Sequence, residues 1–485
     1  MASSQQPKST LVYGLEERPP WPHAIVLALQ HVLTMFGATV SVPLLLGPSM
    51  GMDRQQISLL ISSVMLCSGL ATLLQTTVGS RLPIVQGISF SFLAAFFAVI
   101  DAGKSEGWSA AVMMQYIAGA IMVGAVLEIA VGFSGLVGAL RRYLSPVVVG
   151  PVIMLIGLAL FKHGAPKAAA HWPTGLLTIV LVVVFALVLA PRIRLFLMFP
   201  VLLAMIAVVT LCWLLSATGV YHAAAEQADG KMIAAHPARV DLSAVENSPW
   251  VRWRINDVVM PWGAPQFSLG FIVAALAGYL ASMVESFGDY HACSRMAGAG
   301  DPTPKQISRG IGCEGIGCLL TSFLGGFSST SYSENIGVVG LTKVGSRFVV
   351  QVAALLLVFL GIFGKFGAIS AAIPGPVVGG LYCSLFGLIA AVGIQQLSKA
   401  DLHSDRNLFI AGFSLFMGLS VPAFFDGSTT ELYPPGPQPL LDAMPAVFAE
   451  IVKAIGSTGM AVAALLGIVL DNLIPGTVQE RGLEP

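Results

Sequence analysis

Phe327-Ser328-Ser329-Thr330-Ser331-Tyr332-Ser333-Glu334-Asn335-Ile336-Gly337 opens an apolar stretch in the second half of the chain, and Pro83-Ile84-Val85-Gln86-Gly87-Ile88-Ser89-Phe90-Ser91-Phe92 opens one in the first half. Both start with a Gly/Ser-rich, partly alternating segment and run on into apolar, helix-like sequence. Alternation and small residues suit extended backbone better than helix. At membrane depth such backbone is tolerated only where protein or a cavity covers it. Gly and Ser also serve as plain packing between membrane helices. What gives the two segments meaning is position, because each begins the third apolar span of its half.

A membrane helix needs about 20 mostly apolar residues. Read outward from those segments, the chain offers fourteen candidate spans: 23–47, 57–76, 83–102, 111–136, 146–162, 173–191 and 194–217, then 266–290, 306–325, 326–345, 347–366, 369–395, 407–424 and 443–473. Seven precede the one long hydrophilic stretch, Tyr221 to Gln266, and seven follow it. An odd-numbered repeat inserts its second copy upside down, and broken spans at equivalent positions of two such halves point to a binding site. The expected fold is therefore an all-α polytopic membrane protein, fourteen transmembrane segments in a 7+7 inverted repeat, with short β-strands in spans 3 and 10. Trp250, Trp253 and Trp262 in the hydrophilic stretch suit a loop that hugs the membrane interface.

Composition agrees. Hydrophobic types make up 55% of the 485 residues and charged types 10%, against about 25% charged in an ordinary soluble domain. A soluble core could not hide so much apolar surface. The formal net charge is zero, which argues against a nucleic-acid partner. Six cysteines lie in or beside apolar runs without CxxC spacing and read as buried, inert thiols. No metal or cofactor is expected. HExxH, GxSxG and paired histidines on a helix face are missing, so no enzyme is expected either.

The polar N-terminus, Met1 to Pro20, lacks a signal peptide's apolar segment and cleavage site. Placed inside, it gives inner loops holding Arg81, Arg141, Arg142, Arg192, Arg194, Arg295, Lys305, Arg309, Arg347, Lys399 and Arg406. The short outer loops then hold only Arg54, Lys104, Lys162, Lys167 and Lys365. That bias has the sign of the positive-inside rule. Both termini are expected in the cytoplasm, with the chain in a bacterial inner membrane or plasma membrane.

Ionisable residues inside a bilayer are costly and mark function by default. Glu285 and Asp289 stand four apart in apolar sequence and so share a helix face. Two close carboxylates suit a proton or cation relay. Asp289 alternatively caps the cytoplasmic end of its span. Glu334-Asn335 lies in the tenth span with no basic residue before Lys343. Gln30-His31 in the first span reads as a pair satisfied by a neighbouring helix, with His31 a further coupling candidate. Phe90 by itself reads as packing.

Together these motifs resemble the nucleobase–ascorbate transporter family. Glu334-Asn335-Ile336-Gly337-Val338-Val339-Gly340-Leu341-Thr342-Lys343 is similar to its signature of Gln or Glu, Asn-x-Gly, then Thr and a basic residue. Gln30-His31 with Met35-Phe36-Gly37-Ala38-Thr39-Val40 resembles the family's first span, and Glu285-Ser286-Phe287-Gly288-Asp289 its eighth. The resemblance runs from about Pro19 to Pro475. It implies a core domain (23–137 and 266–366, spans 1–4 and 8–11) and a gate domain (146–217 and 367–475, spans 5–7 and 12–14). A cytoplasmic tail at 1–22, an extracytoplasmic loop at 218–265 and a tail at 476–485 complete the division. It further implies a homodimer through the gate and elevator-type movement of the core.

The binding roles come from the same resemblance. Glu285 and Glu334 accept nucleobase N–H groups. Tyr332-Ser333 and Ala38 supply backbone donors, and Phe90 stacks on the ring. Asn335, Gly337, Thr342 and Lys343 belong to the signature. Glu334 stands as in the uracil permeases, where xanthine and urate carriers have Gln. The ascorbate carriers share Lys343-Val344-Gly345-Ser346-Arg347 but have Pro at position 334. Asp289 stands as in eukaryotic-type members, where the bacterial uracil permease has His. The expected cargo is a uracil-like pyrimidine or a purine, carried by H⁺ or Na⁺ symport. Tyr332-Ser333-Glu334 favours H⁺, with Na⁺ near Asp289 the alternative. An ascorbate or xanthine/urate carrier is the second reading, and an anion channel of related fold the third.

Overall fold

The computed structural model describes residues 11–136, 143–226, 232–252, 254–425 and 436–483. Arg141, Arg142, Trp253 and the outermost residues of both expected tails lie outside them. In chain order the main elements begin with α1 (Trp21–Ser49), α2 (Arg54–Thr77), β1 (Gln86–Ile88), α3 (Leu93–Ser105) and α4 (Ala110–Ser134). Next come α5 (Pro146–Ala169), α6 (Trp172–Leu189), α7 (Pro200–Ala217) and α8 (Leu269–Met296). The chain then forms α9 (Pro304–Leu324), β2 (Ser329–Ser331), α10 (Ser333–Thr342), α11 (Arg347–Ile362), α12 (Gly375–Leu397), α13 (Asp405–Phe425) and α14 (Gly459–Leu473).

Among the described residues nine helices are long and apolar enough to cross a membrane: α1, α2, α4 to α8, α12 and α13. The other five miss that standard for visible reasons. α9 is 21 residues long but carries Lys305, Arg309 and Glu314. α11 and α14 have 16 and 15 residues. α3 and α10 have only 13 and 10, because extended backbone precedes each of them.

That extended backbone is one antiparallel pair. Gln86 faces Ser331, Gly87 faces Thr330 and Ile88 faces Ser329. Its backbone groups are bonded within protein, as membrane depth requires, while Gln86 Oε1 is buried without a partner. Ser89 N–H donates to Ser328 O (3.0 Å) and Tyr332 N–H to Val85 O (3.0 Å). Gln86 N–H donates to Thr72 Oγ1 (2.8 Å), and its side-chain amide to Ser331 Oγ (3.0 Å).

Around the pair, α9 packs on α4 and α2, α11 on α2 and α1, and α8 on α4. A Cβ at Gly132 would lie 2.3 Å from Gly312 N, so α4 and α9 meet backbone to backbone. Elsewhere α12 packs on α5 and α6, while α13 and α14 pack on each other and on α5. At the end of α14 the buried Asp471 carboxylate lies 3.0 Å from Arg406 Nη2 and 2.7 Å from Arg481 Nη2. The apolar windows of α6, α7 and α13 are only 22%, 28% and 22% buried, and Leu187, Leu211 and Phe416 stand exposed on them. An exposed apolar surface of this extent belongs in hydrocarbon.

Three expectations change. The span at 443–473 is two helices, Ala446–Gly456 and α14, interrupted at Ser457-Thr458. Gly456 and Gly459 flank the break, and the Thr458 hydroxyl bonds back to Ala454 O (2.9 Å), competing locally with the helix ladder. The span at 369–395 starts at Gly375, because Pro374 is held extended (ψ 144°) as its N-cap. Trp262 does not hug an interface: it is buried, and its indole donates to Gly325 O at the end of α9 (3.0 Å). Trp250 is exposed.

Candidate substrate site between α8 and α10

α8 continues to Met296, so Asp289 caps no helix end. Its Oδ1 accepts from Ser333 Oγ (2.8 Å), which ties α8 to the first residue of α10, while Oδ2 is buried without a partner. Glu285, one turn earlier on the same face, is half-buried. Glu334 and Ser333 are exposed in the first turn of α10. A Cβ at Gly288 or Gly337 would meet nothing within 4 Å, so these faces of α8 and α10 open onto free space. Among the described residues no side chain donates to the Glu285 or Glu334 carboxylate, and no Lys or Arg pairs with either.

The remaining residues named from the sequence divide between the frame of this space and other surroundings. Tyr332 is frame. Its hydroxyl donates to Ile88 O (3.0 Å) and accepts from Thr39 Oγ1 (3.2 Å), bracing α1 against the strands. Its ring lies on Gly87, where a Cβ would come within 2.3 Å of Cζ; only glycine allows that approach. Tyr332 N–H is bonded to Val85 O, whereas Ser333 N–H, as the first of a helix, has no intrahelical acceptor. Ala38 is buried within unbroken α1. A regular helix commits such an N–H to the carbonyl four residues back. Phe90 is half-buried on the wall of a cavity of about 1580 Å³, beside Phe97, Ile156 and Met460, and neither Glu285 nor Glu334 lines that cavity.

His31 and Asn335 are both buried, and the Asn335 amide reaches His31 O (3.0 Å) and Nδ1 (3.2 Å). They fasten α1 to α10. Gln30 Oε1 is buried without a partner. Thr342 Oγ1 donates to Val338 O (2.8 Å), and Lys343 ends α10 in the left-handed region (φ 58°). The Lys343 carbonyl then accepts from Val12 N–H (2.8 Å), docking the N-terminal tail. All six cysteines are free.

Sequence reasoning passed over Glu314 in α9 and Glu128 in α4, both 1% exposed. Glu314 lies behind the strands and accepts from Ser282 (3.0 Å), Ser286 (2.6 Å) and Tyr290 (3.0 Å). Ser286 also accepts from Ser331 N–H of β2 (3.3 Å). The signal was available. Gly312-Cys313-Glu314-Gly315 and Val126-Leu127-Glu128-Ile129 place single carboxylates in apolar runs, which is the criterion that singled out Glu285.

Comparison with known proteins assigns the family. A family profile described as "Permease family" matches residues 22–427. Solute carrier family 23 member 1 of Rattus norvegicus is 38% identical over 517 aligned residues, covering 99% of this chain and 83% of that one. Nucleobase-ascorbate transporter 7 of Arabidopsis thaliana is 38% identical over 436, covering 87% and 79%. Two solved structures share the fold at low identity. The transmembrane domain of the cyanobacterial bicarbonate transporter BicA has a TM-score of 0.53 and 12% identity, covering 82% of this chain and 95% of that one. The murine Slc26a9 anion transporter, inward-facing, has 0.59 and 11%, covering 95% and 69%. The chain is thus a multi-pass membrane transporter, not an enzyme, and belongs to the permease family that includes the solute carrier family 23 and nucleobase-ascorbate transporters.

Proposed function

We propose that this transporter imports a nucleobase, a uracil-like pyrimidine or an oxidised purine, by cation-coupled symport. One observation carries the reading: Glu285 on α8 and Glu334 on the packed helix α10 each stand beside an open glycine face, with no basic partner among the described residues. A nucleobase is neutral and presents N–H donors along one edge. A carboxylate accepts such donors in charge-assisted bonds, and Ser333 N–H at the positive end of α10 suits a ring carbonyl. Ascorbate is an anion at neutral pH, and two carboxylates without a counter-charge repel it. Phe90 is the candidate stacking surface.

Counting α3, α9, α10, α11 and α14 as crossings gives fourteen, seven on each side of the hydrophilic stretch. The packing supports treating α1–α4 with α8–α11 as a core that moves against a gate of α5–α7 with α12–α14, since α9 and α11 pack on α2 and α12 packs on α5. The gate is the proposed homodimer contact. The coupling ion is H⁺ or Na⁺, with Asp289 its candidate site.

A thermal-shift screen of purified protein against uracil, xanthine, guanine, hypoxanthine, adenine and ascorbate, with and without sodium, tests the cargo. A base present at 100 times its Kd stabilises by about 2.7 kcal/mol. Stabilisation by ascorbate alone rejects the nucleobase reading. Glu334→Gln is expected to weaken pyrimidine binding and to spare or improve oxidised purines, since Gln offers both an acceptor and a donor; identical competition profiles for mutant and wild type exclude Glu334 from reading the base. Asp289→Asn is expected to damage concentrative uptake more than equilibrium binding. Calorimetry and proteoliposome accumulation on that one mutant check the split, and wild-type accumulation rules out the coupling role.

A further inference from the structure

Glu128 has both carboxylate oxygens buried and without a hydrogen-bond partner, in a side chain 1% exposed. The ionisable group acting on it is Glu314 on α9, the helix packed against α4. The two backbones meet there: a Cβ at Gly315 would lie 2.8 Å from Ile129 N. Other titratable groups near Glu128 are Cys318 on α9 and Tyr279 and Tyr290 on α8, none of them cationic. The third helix packed on α4 is α3, whose charged residues, Asp101 and Lys104, lie at the turn into α4, far from Glu128.

Two carboxylates at close range in a dry interior cannot both ionise. A buried charge persists only when paired or richly hydrogen-bonded. The partners assign the charge within this pair. Glu314 accepts from three hydroxyls and is suited to the ionised form. Glu128 accepts from none, and its one way to be satisfied is to donate an O–H.

We infer that Glu128 and Glu314 form a proton-binding acid–carboxylate pair inside the protein, separate from the substrate face, with the proton on Glu128 and directed at Glu314. The pair is wired to that face, because Ser286 donates to Glu314 Oε2, adjoins Glu285 and accepts from β2. The site does not depend on which substrate is carried.

Infrared spectroscopy of the full chain in lipid nanodiscs reads the proton directly. The wild type minus Glu128→Gln difference spectrum should show loss of one protonated-carboxyl carbonyl band, shifted by deuterium exchange, with no loss of ionised carboxylate. Glu314→Gln should lose ionised carboxylate and keep the acid band. If Glu128→Gln removes only ionised carboxylate, or if Glu314→Gln removes an acid band, the inference is overturned. Should Glu128→Gln not purify, Glu128→Asp keeps an acid and should move the band; an unmoved band overturns the inference equally.

Discussion

Glu285→Gln is expected to weaken nucleobase binding by about 1.5–3 kcal/mol, roughly tenfold to a hundredfold in Kd. Gln keeps the shape but turns one acceptor oxygen into a donor that faces the base N–H. α8 holds this position by packing on α4 and through Ser282 and Ser286, which bond Glu314 on the neighbouring helix. The amide should therefore leave the fold unchanged, so the loss should appear in binding and not in the melting temperature of the ligand-free protein. Calorimetry with the base that scores in the thermal-shift screen measures it. Wild-type affinity in a folded Glu285→Gln protein removes Glu285 from the site.

The largest expected effect on stability comes from Asp471→Ala. Asp471 is fully buried between two guanidinium groups. Arg481 donates to its Oδ2 through Nε (3.1 Å) and Nη2 (2.7 Å), and Arg406 lies against Oδ1. The side chains of Arg406 and Arg481 are 9% and 15% exposed, so removing the carboxylate leaves two poorly hydrated cations side by side. Breaking a buried ion pair by deleting one partner costs about 3–5 kcal/mol. The same cluster fixes the segment after α14: Asp401 N–H donates to Glu480 O (3.0 Å) and the Asn407 amide to the same carbonyl (2.8 Å). Asp471→Ala should lower the melting temperature and open the residues around Glu480 to hydrogen exchange, without altering substrate specificity. An unchanged melting temperature contradicts the pairing.

Much of the fold was legible from the sequence because lipid imposes a strong constraint on it. Apolar runs of spanning length located the helices, and the extended segments at Gln86 and Ser329 stood out by alternation and small residues. Span 443–473 was misread because Ser457 and Thr458 are short polar breaks inside an apolar run, and run length alone does not register a helix break. Trp262 was misread because an indole near a membrane and an indole buried under a helix end have the same local sequence.

By itself the sequence determined the membrane class, the family and the residues that stand out as costly in a bilayer, because each of these depends on residue type and spacing along one segment. The tertiary structure decided what those residues face. It bonded Tyr332 N–H to Val85, made His31 a partner of Asn335 and took Asp289 off a helix end. Contacts between helices hundreds of residues apart follow from packing, and packing is a property of the assembled helices that no single segment encodes.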